Sequence, residues 1–170
     1  RGWMLPSDPG VISVDELMRR FRETGASKYN WFPGEYRDAR VPDEAGVLVV
    51  DQTRGDASIR YGGMVDGDFE RMLRAALDEF DGCPVYVRAH PDHVHWRKHS
   101  CLPERLLADA RVRLLPPDLS PAQCFSFCHT VLVGGSLMGM EALVHGRRVI
   151  TFGRPFFAGW GLTDDRANVI

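Results

Sequence analysis

The chain has 170 residues, 44% of them hydrophobic and 26% charged, which is the size of one globular domain with a substantial core. A net charge of −2 supplies no general attraction to nucleic acid or to an anionic membrane. No apolar run approaches the ~18 residues that span a bilayer, and the four cysteines show no disulfide-framework spacing, so a reducing cytoplasm is the expected setting. Arg1 opens the chain without Met and no signal-like apolar segment follows, which reads as a piece of a longer polypeptide.

Ser13-Val-Asp-Glu16 is a capping-box pattern, and Val14, Leu17, Met18 and Phe21 make one apolar stripe ending before Gly25, so a helix is expected first. Residues 26–46 have no clean period and hold Pro33, Gly34, Pro42 and Gly46. Residues 1–46 are therefore read as a helical lead-in and connector, and 47–170 as the main domain. VLVVD (47–51) is a short apolar run, as expected of a strand buried on both faces. Phe69, Met72, Leu73, Ala76, Leu77 and Phe80 lie at helical spacing, with Gly82 as the stop. Strand PVYVR (84–88), a helix near 103–110 and strand VRLL (112–115) follow. Ser120-Pro121 has the capping chemistry for a helix through about Cys128. Strand TVLVG (130–134), a helix over 137–145 closed by Gly146, and strand RVITF (148–152) complete the series. About five apolar strands alternating with helices predict an α/β fold, a Rossmann-like doubly wound parallel sheet, because parallel neighbours require crossovers.

In such sheets the ligand crevice lies beyond the carboxyl ends of the strands. The residues there are Asp51 to Asp56, His90-Pro91, Pro116 to Leu119, Gly134-Gly135-Ser136, and finally FGRPFFAGWGLTDDR (152–166), whose Phe156, Phe157 and Trp160 should rim the crevice. Gly134, Gly135 and Ser136 form a strand-to-helix turn whose N–H groups and hydroxyl suit a phosphate, with Glu141 further along the helix placed to accept from a ribose diol. The turn is not a Walker loop, a full dinucleotide fingerprint or a nucleophile elbow, and a plain tight turn fits the same spacing. Residues 88–99 hold four histidines, but His93, His95 and His99 match no usual metal spacing and read as a solvated basic loop. His90, at a strand end beside Pro91, can hydrogen-bond a phosphate or protonate a leaving group. Asp51 and Asp56 are either turn and cap residues or carboxylates on the same rim. Cys124, Cys128 and His129 lack a second ligand pair and read as core packing.

Four segments in order, SKYN (27–30), LVVDQTRGDASIRYGG (48–63), VRAHPD (87–92) and GSLMGMEALVHGRRVITFGRPFFAGWGLTDDR (135–166), resemble the capsule polysaccharide biosynthesis and export family, which includes the retaining β-Kdo transferases of bacterial capsules. The resemblance implies the carboxyl-terminal, nucleotide-binding half of a GT-B glycosyltransferase, with CMP-β-Kdo as donor substrate and no cofactor or metal. It implies Asp56 as nucleophile within Gln52…Gly55-Asp56-Ala57-Ser58, and His90 and Pro91 beside the CMP phosphate. Gln52, Ser58, Ser136 and Glu141 are further donor-site residues it implies; Gly135 adds an N–H of the strand-to-helix turn, and the Arg88 guanidinium can reach a sugar carboxylate or phosphate. Arg88 and HVHWRKHSCL (93–102) stand where family members tend to carry a Lys and a Gly/Lys-rich run. The implied partners are a glycolipid or oligosaccharide acceptor and the missing amino-terminal half, with peripheral contact at the inner membrane and no nucleic acid. Two rivals are a serine hydrolase pairing Ser136 with His145 or Asp164, and a non-catalytic capsule-assembly component.

Overall fold

The computed structural model describes residues 12–28, 41–65, 67–90, 99–117 and 119–167. Helix α1 (Val14–Thr24) starts where Ser13 Oγ accepts the Glu16 N–H at 3.1 Å and ends at Gly25, whose φ of 61° is open to glycine at little cost. Only half of the capping box forms, because the Glu16 carboxylate turns to Arg19 and Arg20 instead. The apolar stripe of α1 is not buried: Val14, Leu17 and Phe21 are exposed. The helix meets the body near its end, where Arg22 Nε donates to the Val144 carbonyl.

The sheet is formed by β1 (Gly46–Val50), β2 (Val85–Arg88), β3 (Val112–Leu114), β4 (Cys128–Val133), β5 (Arg148–Thr151) and β6 (Asp164–Asp165). The helices between them are α2 (Ala57–Tyr61), α3 (Asp68–Glu79), α4 (Glu104–Leu107), α5 (Pro121–Phe127) and α6 (Met138–Val144). All five strand pairings are parallel, in the order β3-β2-β1-β4-β5-β6. Period-two alternation sends Val47 and Val49 to a core shared with Met72, Leu73 and Ala76 of α3. Leu48 and Val50 point the other way, into a core with Phe125 of α5 and Ala142 of α6. Every residue of β1 is buried, as a strand covered by helices on both faces must be. The capping box at Ser120 and Gln123 starts α5, and Pro121 occupies its first turn.

The architecture agrees with the sequence-based expectation, with local differences. The strand around 112–115 lies at the sheet edge, so Leu114 is 62% exposed despite its apolar character. Helix α4 spans Glu104–Leu107 rather than 103–110. Helix α2 and strand β6 are additions. The β6 pair Asp164-Asp165 has no strand propensity, and tertiary bonds hold it there: Thr151 Oγ1 donates to Asp165 Oδ1 at 2.9 Å, and Arg148 pairs with Asp164. Among the described residues no helix is long and apolar enough to cross a membrane.

Candidate functional site

The winding of the sheet reverses between β1 and β4, and a crevice opens beyond their carboxyl ends. It holds a cavity of about 260 Å³, near the low end of ligand-pocket sizes. Asp51, Gln52, Asp56 and Ser58 line it from the β1 side, and Arg88 and His90 from β2. Gly135, Ser136 and Glu141 line it from the β4 side, and Lys28 from the lead-in. Eight of the nine site residues expected from the sequence thus face one space, and Pro91 lies outside the described residues.

Gln52 is the tie across this reversal. It is 3% exposed, its Oε1 accepts the Gly135 N–H at 2.8 Å, and its Nε2 donates to Ser58 Oγ at 2.9 Å. Gly134 must be glycine for this to happen, since a Cβ there would sit 2.7 Å from Gln52 Oε1 and 2.6 Å from Met64 Sδ. The Gly135 N–H is consequently spent on Gln52, which corrects its expected role as a phosphate donor. Ser136 keeps a hydroxyl proton to give, because its Oγ accepts from the Met138 N–H at 3.3 Å.

Asp56 caps α2: its Oδ1 accepts the Ser58 N–H at 2.9 Å, while Oδ2 takes no hydrogen bond from the described residues. A carboxylate held by one oxygen with the other open is oriented for use on a ligand. Asp51 is instead buried at 3% exposure, with Oδ1 accepting from the Gln52 and Cys101 N–H groups at 2.8 and 3.1 Å. Its work is to bind the end of β1 to the segment returning from His99, which is itself exposed. Half-buried His90 lies two residues past the end of β2.

Arg88 is 4% exposed, and its guanidinium donates to the Leu119 carbonyl and lies 3.5 Å from Cys124 Sγ. Among the described residues no carboxylate pairs with it, so a buried cation lines the cavity beside neutral partners. Such a charge favours an anion in the adjoining space. Cys124 and Cys128 are buried, and loss of solvation pushes both thiols well above the ordinary range, as inert core cysteines. Among the described residues no group of His, Cys, Asp and Glu could hold a metal ion, and His93 and His95 lie outside them.

One further expectation is corrected, and one rival reading lacks its geometry. Residues 152–166 do not line the cavity. The Arg154 N–H bonds the Gly62 carbonyl, and the Phe157 ring packs where a Cβ on Gly139 would be, 2.7 Å from Phe157 Cζ. That contact buries Phe157, while Phe156 and Trp160 remain 69% and 76% exposed. The hydrolase geometry is also missing, since neither His145 nor Asp164 bonds Ser136. His145 caps the far end of α6 and packs on Phe125, and Asp164 pairs with Arg148 and Arg166. Lys28 was not singled out as a site residue in the sequence; its only signal was the SKYN segment.

A doubly wound parallel sheet with its cavity at the reversal of strand order defines a Rossmann-like α/β domain, the architecture in which ligand crevices form at that point. Residues 36–170 match the capsule polysaccharide biosynthesis protein family, and the chain belongs to it. It is 39% identical over 165 residues to the capsule polysaccharide modification protein LipA of Neisseria meningitidis serogroup B, covering 95% of this chain and 23% of LipA. The KpsC beta Kdo 2,4 transferase of Thermosulfurimonas dismutans superposes with a TM-score of 0.78 at 34% identity, covering 96% of this chain and 50% of that one. The beta Kdo 2,7 transferase of the same KpsC gives 0.58 at 26% identity, over 91% and 48%. The chain thus spans about a quarter of LipA and about half of each solved chain.

Proposed function

We propose that this chain is the donor-binding half of a retaining glycosyltransferase that moves Kdo from CMP-Kdo during assembly of a capsule lipid linker. The observation that carries the reading is the meeting, in one cavity at the strand reversal, of a buried guanidinium with no carboxylate partner among the described residues, an imidazole, a hydroxyl and three carboxylates, Asp51, Asp56 and Glu141. In this reading Arg88, His90 and Ser136 face the CMP phosphate and Glu141 the ribose. Departure of CMP leaves charge on that phosphate, and preorganised donors in a partly dry site stabilise it. Asp56 attacks the anomeric carbon through Oδ2: the carboxylate–sugar bond forms as the sugar–phosphate bond breaks, and the electron pair leaves with CMP. The acceptor hydroxyl then displaces Asp56, restoring the original configuration. The similarity to two Kdo transferases and the family membership support this reading.

In this reading the acceptor site and a catalytic base are supplied by the other half of the module. Exposed Phe156 and Trp160 suit the surface between the halves, since aromatics bury much area with few rotors. In this reading the reaction runs at the cytoplasmic side of the inner membrane.

Isothermal calorimetry with CMP tests the assignment. His90→Ala should weaken binding by ~1–3 kcal/mol through loss of a hydrogen bond to a charged group. Equal affinity in the two proteins would remove His90 from the site, and no binding by the wild type would favour a non-catalytic assembly role.

A further inference from the structure

Glu141 is held from an unexpected direction. The Ser27 hydroxyl donates to its Oε1 at 3.0 Å, and the Lys28 N–H donates to the same oxygen at 3.2 Å. Oε2 takes no hydrogen bond from the described residues, and Glu141 lines the cavity. The two donors come from 114 and 113 residues away, in the lead-in rather than in the sheet. They also precede residues 36–170, the part that matches the family.

The lead-in is anchored where this contact needs it. Arg22 Nε bonds the Val144 carbonyl at the end of α6, the helix that carries Glu141. Gly25 turns the chain in the left-handed region, with its Cβ position 3.6 Å from Ala122 Cβ at the start of α5. The next residues then reach the cavity, where Lys28 is part of the wall. A glutamate in solution samples three side-chain torsions, and fixing it on ligand binding costs conformational entropy. Two donors on one oxygen remove that freedom in advance and leave the other oxygen as a single oriented acceptor.

We infer that Ser27 and the Lys28 amide are positioning groups that aim the Glu141 carboxylate, and that they set the protein's selectivity for a ribose cis-diol. This rests on the reading that Glu141 meets the ribose. A site built around an acceptor for a ligand hydroxyl discriminates strongly against the analogue lacking it, because the acceptor is then left unpaired. Without Ser27 the carboxylate regains its rotamers and the discrimination falls.

The experiment titrates CMP and 2′,3′-dideoxy-CMP by calorimetry into the wild-type chain and into Ser27→Ala, Ser27→Thr and Glu141→Gln. The wild type should prefer CMP by about tenfold or more, the scale of one hydrogen bond to a charged group. Ser27→Ala should lower that ratio roughly threefold or further, and Ser27→Thr, which keeps the hydroxyl, should restore it. A loss that merely loosened the fold would weaken both ligands alike and leave the ratio unchanged. If the wild type and Glu141→Gln behave as expected while Ser27→Ala keeps the wild-type ratio, the positioning role is overturned and the ribose contact stands. If the wild type binds neither ligand, does not discriminate, or keeps its ratio in Glu141→Gln, the ribose reading fails and this inference fails with it.

Discussion

Replacing Gln52 by Leu removes the tie between the two halves of the sheet at the point where the cavity opens. Leu fills a similar volume but offers neither polar atom. The half-buried Gly135 N–H loses the only acceptor it has among the described residues, which costs roughly 1–3 kcal/mol. The bond to exposed Ser58 is partly replaced by water, so its loss adds up to about 1 kcal/mol. The sum is about 1–4 kcal/mol, and at ~2–4 °C per kcal/mol for a chain of this size the melting temperature should fall by roughly 2–16 °C. Circular dichroism at 222 nm or scanning calorimetry reads this directly. Gln52→Glu keeps an acceptor for Gly135 and should lose less than half as much. It also places a negative charge in a cavity argued to hold an anion, so it should weaken CMP more than its small stability loss suggests. A Gln52→Leu protein melting within about 2 °C of wild type would refute the reasoning, because the bridge would then carry no net stability at the reversal.

On the proposed mechanism, Asp56→Asn in a full-length protein should abolish transfer and leave CMP affinity nearly intact, since the carboxylate is proposed to act on the sugar; an adduct located on another residue by intact-mass analysis reassigns the nucleophile. Trp160→Ser should leave the melting temperature of this chain within about 2 °C, as the side chain is 76% exposed, but should lower that of a longer protein in which it is covered. Burial, and then the nearby Arg147 cation, hold the His145 imidazole below its ordinary range. The unfolded chain therefore binds this proton more readily than the folded one, and stability falls as pH drops below about 6.5. His145→Phe should flatten the stability–pH profile just below about pH 6.5, and an unchanged slope there would assign the acid sensitivity elsewhere.

Much of this protein was legible in the chain itself. Apolar runs such as VLVV, the spacing of Phe69, Met72, Leu73 and Ala76, and the Ser120-Pro121 start each express local rules of burial and capping. Together they were enough to predict a parallel sheet with its site at the strand ends. Glycines at 134 and 135 and the hydroxyl at 136 were visible as a special turn, but not the reason for it. That reason is Gln52, 83 residues away, whose amide occupies the space a Cβ would need and takes the N–H that looked free for phosphate.

Other features were settled only by distant partners. Asp164-Asp165 becomes a strand because Thr151 and Arg148 receive it, not because of its own preference. Phe157 turns inward while Phe156 and Trp160 stay outside, since only one of the three meets the bare face of Gly139. The stripe on α1 has the pattern of a buried helix and is exposed, because periodicity specifies that a face is apolar and not what will cover it. Glu141 likewise could be placed on its helix from sequence, whereas the direction of its carboxylate depends on Ser27 and Lys28, brought alongside by the fold. Residue type and short-range spacing determine which elements form and what chemistry they carry. Which oxygen, N–H or ring remains available to a ligand is decided by contacts between residues far apart in the chain, because each donor and acceptor can be spent only once.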